Sequence, residues 1–171
     1  MMMPKFATAI PLALAAMAVS VGASAQESAW GYFEDEAGVL QAGVQTPDGR
    51  QLILKCNAPG ERSVFAVLYT PAALGAPSTR ANIRDIQLQY DNGPPVTRRW
   101  RYYQFTVEAV NTRRDQELPP FLQRLADVQN LKVRLTPVDG APQSIEFNVS
   151  GAREAIGRVY ESCRDSTNPL G

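Results

Sequence analysis

The sequence predicts an α+β protein that is mainly β, an antiparallel β-sandwich or small barrel with two packed helices. Three observations predict this class. Several short segments alternate apolar and polar residues, which is the period of a half-buried strand, and turn signals separate them. Two other segments carry apolar residues at helical spacing. Two cysteines fall in the predicted core, Cys56 at the end of a strand and Cys163 at the end of the last helix.

The N-terminal segment 1–25 has the organisation of a cleavable signal peptide. Lys5 supplies the positive charge, an apolar run follows it, and Ala23-Ser24-Ala25 fits the small-residue cleavage site. We expect cleavage after Ala25, export to the periplasm, and no stable membrane insertion afterwards. The alternative is an uncleaved membrane anchor, but the apolar run is short for a spanning helix.

The remaining chain is the right length for a single β-rich domain, which we assign to residues 26–166. Residues 167–171 are expected to form a disordered tail, because they hold a proline and a glycine and no apolar repeat.

The first half of this domain reads as a series of strands. The aromatic opening, Trp30 to Phe33, predicts an edge strand or a plug over the core. Segments 39–46 and 51–56 predict a hairpin, since Pro47-Asp48-Gly49 supplies turn residues between them. Segment 63–69 is apolar on both faces, which predicts a central strand.

Further strands are predicted at 84–90 and at 131–135, where apolar and polar residues alternate. Segment 98–110 predicts one strand or a pair of strands. Pro119 and Pro120 open a predicted helix, because proline is tolerated in the first helical turn.

The C-terminal segment 144–163 predicts a strand that runs directly into a helix. Ile145, Phe147 and Val149 alternate with polar residues, and Ser150 is the expected N-cap of the helix. The apolar stripe of that helix ends on Cys163.

Two cysteines in an exported chain predict one disulfide, Cys56–Cys163. This bond would tie the last helix to the sheet. Two buried free thiols are the alternative.

Composition excludes several classes of chemistry. The chain has no histidine, which removes Ser–His and Cys–His catalysis and histidine-ligated metal sites. Neither a phosphate-binding loop nor a dinucleotide-binding motif is present. Lys+Arg and Asp+Glu both number 17, so there is no basic field to attract nucleic acid. We expect no catalytic residues, no metal and no cofactor.

The candidate binding face lies on the segment Arg98, Arg99, Trp100, Arg101, Tyr102, Tyr103. On a strand, Arg99, Arg101 and Tyr103 would share one face, and the other three residues the opposite face. Arginine beside an aromatic ring can bind a phosphate or a carboxylate. The structural alternative is an edge strand protected by charge, with its aromatic rings in the core.

A third hypothesis concerns the acidic cluster Glu34, Asp35 and Glu36, which could serve a histidine-free hydrolase through paired carboxylates. A solvated acidic surface is the alternative.

Three motifs give a resemblance to a known group. They are Leu52-Ile53-Leu54-Lys55-Cys56, P-x-F-L-x-x-L from Pro119 to Leu125, and F-x-V-S-G-A-x-x-A-I-x-x-V-x-x-x-C from Phe147 to Cys163. The chain resembles small periplasmic proteins, including the accessory proteins encoded with type VI secretion systems. The resemblance implies a disulfide-stapled periplasmic fold and no catalytic residues. The leading expectation is an exported accessory protein that acts by contact with an envelope or secretion-system partner.

Overall fold

The structure is a computed structural model that describes residues 29–75 and 77–171. The predicted signal peptide and its cleavage site lie outside the described residues. The elements are β1 Gly31–Glu34, β2 Leu40–Gln45, β3 Gln51–Lys55, β4 Phe65–Tyr69, β5 Asn82–Tyr90, β6 Val96–Tyr102, β7 Thr106–Val110, α1 Leu118–Leu125, β8 Asn130–Leu135, β9 Gln143–Asn148 and α2 Ala152–Ser162.

All nine of these strands belong to one antiparallel sheet, in the order β1-β2-β3-β4-β7-β6-β5-β8-β9. The sheet curls, so that β2 and β9, near its two ends, come close to each other. The Ala29 N–H donates to the Ser150 carbonyl at 3.0 Å, and Trp30 Nε1 donates to the Val149 carbonyl at 3.1 Å. The predicted α+β, mainly β class is confirmed, and its sheet is a single open one whose two ends lie close together.

The core fills the concave side of the curl. Alternation along each strand directs apolar side chains inward, as with Leu52 and Leu54 on β3. The α1 helix closes one part of the core, where the Phe121 ring meets the Trp100 ring edge-to-face at a centroid distance of 5.0 Å. The α2 helix packs against β2 and β3 with its apolar stripe.

The predicted disulfide is present. Cys56 and Cys163 are both fully buried, with their Cα atoms 6.2 Å apart. Gly60 N–H donates to the Cys163 carbonyl at 2.8 Å, which holds the loop after Cys56 against the end of α2. The covalent tie between helix and sheet is therefore reinforced by a backbone hydrogen bond.

The buried carboxylate of Asp165 adds a polar clasp beside the disulfide. It accepts hydrogen bonds from the backbone N–H groups of Arg62 at 2.9 Å and Val64 at 3.0 Å, and from the Thr167 hydroxyl at 2.7 Å. The Thr167 hydroxyl also accepts from the Asn111 amide at 3.0 Å. Burial acts to raise the pKa of Asp165, but these hydrogen bonds outweigh it and lower the pKa below its ordinary value.

Two local expectations differ from the structure. Gly151, with φ 86°, occupies the N-cap position of α2, and no side chain caps this helix. The prediction that Ser150 caps the helix is therefore wrong. The N-cap is the next residue, Gly151, whose left-handed backbone conformation favours glycine. Residues 167–171 were expected to form a disordered tail, but they contact the domain. Leu170 packs against the core, and the Thr167 hydroxyl donates a hydrogen bond to Asp165.

Candidate functional site

Strand β6 places two of the three arginines of the predicted binding segment, Arg99 and Arg101, on the face opposite to Trp100 and Tyr102. Trp100 and Tyr102 point into the core and are each 1% exposed, whereas Arg99 points outward. Within β6 the side chains alternate, and Arg98 is on the same side as Trp100 and Tyr102. Tyr103 follows the end of β6, where its N–H donates to the Thr106 carbonyl at 2.8 Å in the turn to β7. The structure does not bring the six residues of this segment together on one face.

β6 is also not an edge strand, because it pairs with β5 on one side and β7 on the other. Both outward arginines have carboxylates near them. Arg101 Nε lies 2.9 Å from Asp115 Oδ2, and Arg99 stands opposite Asp85 in the register. The outer face of β6 is therefore locally neutralised.

A partly apolar outward surface lies on a different part of the sheet, across β2, β3, β4 and β7. We call it the outer groove, an open depression of about 520 Å³. Its lining is mixed: apolar and aromatic side chains stand beside two charged and four polar ones, namely Ile53, Phe65, Val67, Tyr69, Lys55, Glu108, Gln41, Gln51, Asn57 and Thr106. Tyr69 is 36% exposed, and Phe33 on the adjoining β1 is 45% exposed. A cluster of apolar side chains on the solvent side of a sheet is characteristic of an interaction surface.

The register of the sheet assembles this groove from distant parts of the chain. Gly43, Ile53, Val67 and Glu108 form one row across β2, β3, β4 and β7, and Arg101 on β6 continues it. Side chains in such a row are direct neighbours on one face. Sequence reasoning missed the groove because its members come from four strands. The only local signal was the apolar character of both faces of β4, which we interpreted as a sign of a central strand.

Gly43 lies beside the groove, on the side of edge strand β1. A Cβ at this position would lie 3.3 Å from Ile53 Cγ1 and 3.7 Å from Phe33 Cε1. The absence of a side chain lets the Phe33 ring extend the apolar surface to the edge strand β1. A second depression of about 320 Å³ lies there, between Tyr32, Phe33 and Ile53.

Glu108 is the unusual charge in the groove. Burial raises the pKa of its carboxyl above the ordinary value, and the nearby Arg101 and Lys55 charges only partly oppose this effect. Within the described residues its carboxylate forms no hydrogen bond or ion pair, since Arg101 binds Asp115 instead. Lys55 Nζ lies over the Phe65 ring, 5.8 Å from the centroid. The groove therefore offers apolar contacts together with one unpaired, partly desolvated carboxylate.

The acidic cluster at the N-terminus has a structural role at Asp35. Its Oδ1 accepts from Ala37 N–H at 3.0 Å and from Val39 N–H at 2.9 Å, which fixes the turn between β1 and β2. Glu34 and Glu36 are exposed. Over residues 29–75 and 77–171, no group of three or more Cys, Asp or Glu residues is placed to hold a metal ion. No helix in the same part of the chain is long and apolar enough to cross a membrane.

Comparison with known proteins gives a match of fold alone. No family model matches the chain, and no curated protein matches its sequence. The chain is similar to the crystal structure of invasion associated protein B from Bartonella henselae, with a TM-score of 0.53 and 15% sequence identity. The match covers 81% of this chain and 96% of that chain. It carries no information on type VI secretion.

Proposed function

We propose that the protein is an exported, non-enzymatic binding protein that uses the outer groove to hold an apolar segment of an envelope protein. The observation that carries the proposal is the presence, in one depression, of exposed Tyr69, partly buried Ile53 and Phe65, and a Glu108 carboxylate that forms no ion pair among the described residues. The Cys56–Cys163 disulfide supports export, because such bonds persist in oxidising compartments. The N-terminal segment with signal-peptide organisation supports delivery to the periplasm.

The chemistry of the groove defines the partner. Ile53, Phe65 and Tyr69 favour apolar side chains, and covering their exposed parts removes apolar area from water at about 25 cal/mol per Å². Glu108 favours a lysine, an arginine or a free N–H group, since binding one would satisfy a carboxylate that burial has partly desolvated. The expected partner segment is therefore apolar and carries one basic residue.

Site-specific photocrosslinking in periplasmic extract tests this proposal. A photoreactive phenylalanine analogue would replace Tyr69 in the groove, and in a matched control it would replace Val138. Val138 is 37% exposed but lies in the loop between β8 and β9, away from the groove. We expect a product specific to the Tyr69 probe, and mass spectrometry should map it to an apolar segment with a lysine or arginine.

The substitution Glu108→Lys, made in the Tyr69 probe protein, supplies the second half of the test. It leaves the apolar surface in place and places a like charge against the basic residue, so the product should be lost. Identical crosslinked products from the two probe positions, or a product that survives Glu108→Lys, would refute the proposal.

A further inference from the structure

The other half of the sheet carries a third depression, whose lining is mainly polar. It lies on the outer face of β5, β8 and β9, has a volume of about 400 Å³, and we call it the polar cleft. Its polar lining residues are Gln87, Gln89, Lys132, Arg134, Gln143 and Ser144. Pro95 and Pro142 complete the lining. The cleft shares no lining residue with the outer groove, so a ligand bound in the cleft would be independent of the proposed function.

The register places one arginine at the centre of a neutral row. Arg134 on β8 stands between Gln87 on β5 and Ser144 on β9. Lys132, in the next row, faces Glu146, and their charged groups are 3.9 Å apart. Among the described residues, Arg134 has no carboxylate partner and no aromatic ring against its guanidinium. Arg134 thus has its five N–H donors free in a site that also presents an amide and a hydroxyl.

One residue that lines the cleft, Gln143, carries an amide oxygen without a partner. Gln143 Oε1 is buried and has no hydrogen-bond partner in the described part of the chain. Gln89 is oriented by its own hydrogen bond, in which Nε2 donates to the Gly93 carbonyl at 3.0 Å. A buried polar atom without a partner costs free energy, and a bound hydroxyl group would satisfy it.

We propose that the polar cleft binds an anionic saccharide. The carboxylate or phosphate of the sugar accepts two N–H bonds from the Arg134 guanidinium, a geometry that lysine does not provide. When the Gln143 side chain turns toward the cleft, its Oε1 accepts from a sugar hydroxyl. Ser144 and Gln87 have the chemistry to bind the remaining polar groups. The volume of about 400 Å³ is within the range of small-ligand sites.

Titration calorimetry and amide NMR with four defined probes test the assignment. The probes are glucuronate, glucose 6-phosphate, neutral glucose and inorganic phosphate. We expect saturable binding of at least one of the two anionic sugars, no binding of glucose, and weaker binding of inorganic phosphate. The anionic sugar with the higher affinity shows which group the cleft prefers: a carboxylate if it is glucuronate, a phosphate if it is glucose 6-phosphate. Amide shifts should cluster on β5, β8 and β9.

Two variants separate the cleft from general charge effects. Arg134→Gln should weaken binding by roughly tenfold or more, because it removes a charged hydrogen-bond donor. The control Arg153→Gln removes one positive charge from α2, where Arg153 pairs with Asp127 outside the cleft, and should leave the affinity unchanged. Gln143→Leu should weaken the binding of the sugar and leave the binding of inorganic phosphate unchanged. Both Arg134 and Arg153 are exposed, so neither change should prevent folding.

Several results would overturn the proposal. One is the absence of saturable binding for both anionic sugars. Others are equal affinity for glucose or for inorganic phosphate, and unchanged affinity in Arg134→Gln.

Discussion

The Asp165 carboxylate accepts a 3.0 Å hydrogen bond from the Val64 N–H, across 101 residues of sequence. The same carboxylate binds Arg62 N–H, so one side chain fixes the start of β4 to the segment after α2. This contact lies beside the Cys56–Cys163 bond, and together they join the C-terminus to the sheet.

We predict that acidification destabilises the protein through Asp165. Burial acts to raise its folded pKa, but hydrogen bonds, led by that from Val64 N–H, outweigh burial and lower the pKa. Stability from this group is therefore fully present above the unfolded pKa, about 3.9, and is lost as pH falls through the lower folded pKa. Urea unfolding of Asp165→Asn at pH 7 should show a loss of about 2–3 kcal/mol, with a shallower dependence on acid than the parent.

Asp127→Asn is the matched control for this prediction, because Asp127 is exposed and pairs only with Arg153 at the surface. It should change the free energy of unfolding by less than about 1 kcal/mol. If the free energy of unfolding falls equally with pH in the parent and in Asp165→Asn, the Asp165 hydrogen bonds are not the cause of the pH dependence.

Removing the disulfide should cost the fold about 4–5 kcal/mol, because the bond joins positions 107 residues apart and so limits the entropy of the unfolded chain. The double variant Cys56→Ser, Cys163→Ser can be compared with the oxidised parent by urea unfolding. Intact-mass measurement after thiol alkylation checks the bond itself. Two alkylated cysteines in the native, unreduced protein would contradict the structure.

Glu108→Gln should stabilise the isolated protein at neutral pH. Burial raises the folded pKa of Glu108, so its stabilising contribution is present below the unfolded pKa and is lost as pH rises through the folded pKa. A neutral amide avoids this loss. The melting temperature should therefore exceed that of the parent at pH 7 and match it near pH 4.

This pH dependence is opposite in sign to that of Asp165, which makes the two carboxylates distinguishable in one set of melting curves. An equal change in melting temperature for Glu108→Gln at both pH values would mean that burial of charge is not the cause.

Gly151→Ala should destabilise the protein by about 1–2 kcal/mol, because φ 86° at this position places a Cβ in a strained left-handed conformation. Substitution to asparagine, which tolerates this region better, should cost less. Thermal unfolding of the two variants gives the comparison. An alanine variant as stable as the parent would indicate that the N-cap position is free to relax.

Local patterns in the sequence predicted the elements well. Alternation located the strands, and the strand pair in 98–110 resolves as β6 and β7 because Tyr103 and Thr106 form a turn. The cap of α2 was misplaced by one residue, because Ser and Gly both suit that position and only the backbone path distinguishes them. Nothing local marked Asp165, whose partners at Arg62 and Val64 are far away in the chain.

The sequence by itself determined the class, the strand segments and the cysteine pair, because alternation, helical spacing and cysteine count are all local or compositional properties. Only the tertiary structure decided which side chains share a surface. The non-sequential order β4-β7-β6-β5-β8 brings Val67, Glu108 and Arg101 into one row, and Gln87, Arg134 and Ser144 into another. Neighbours across a sheet are set by strand order and register, and periodicity along a single strand carries no information about either.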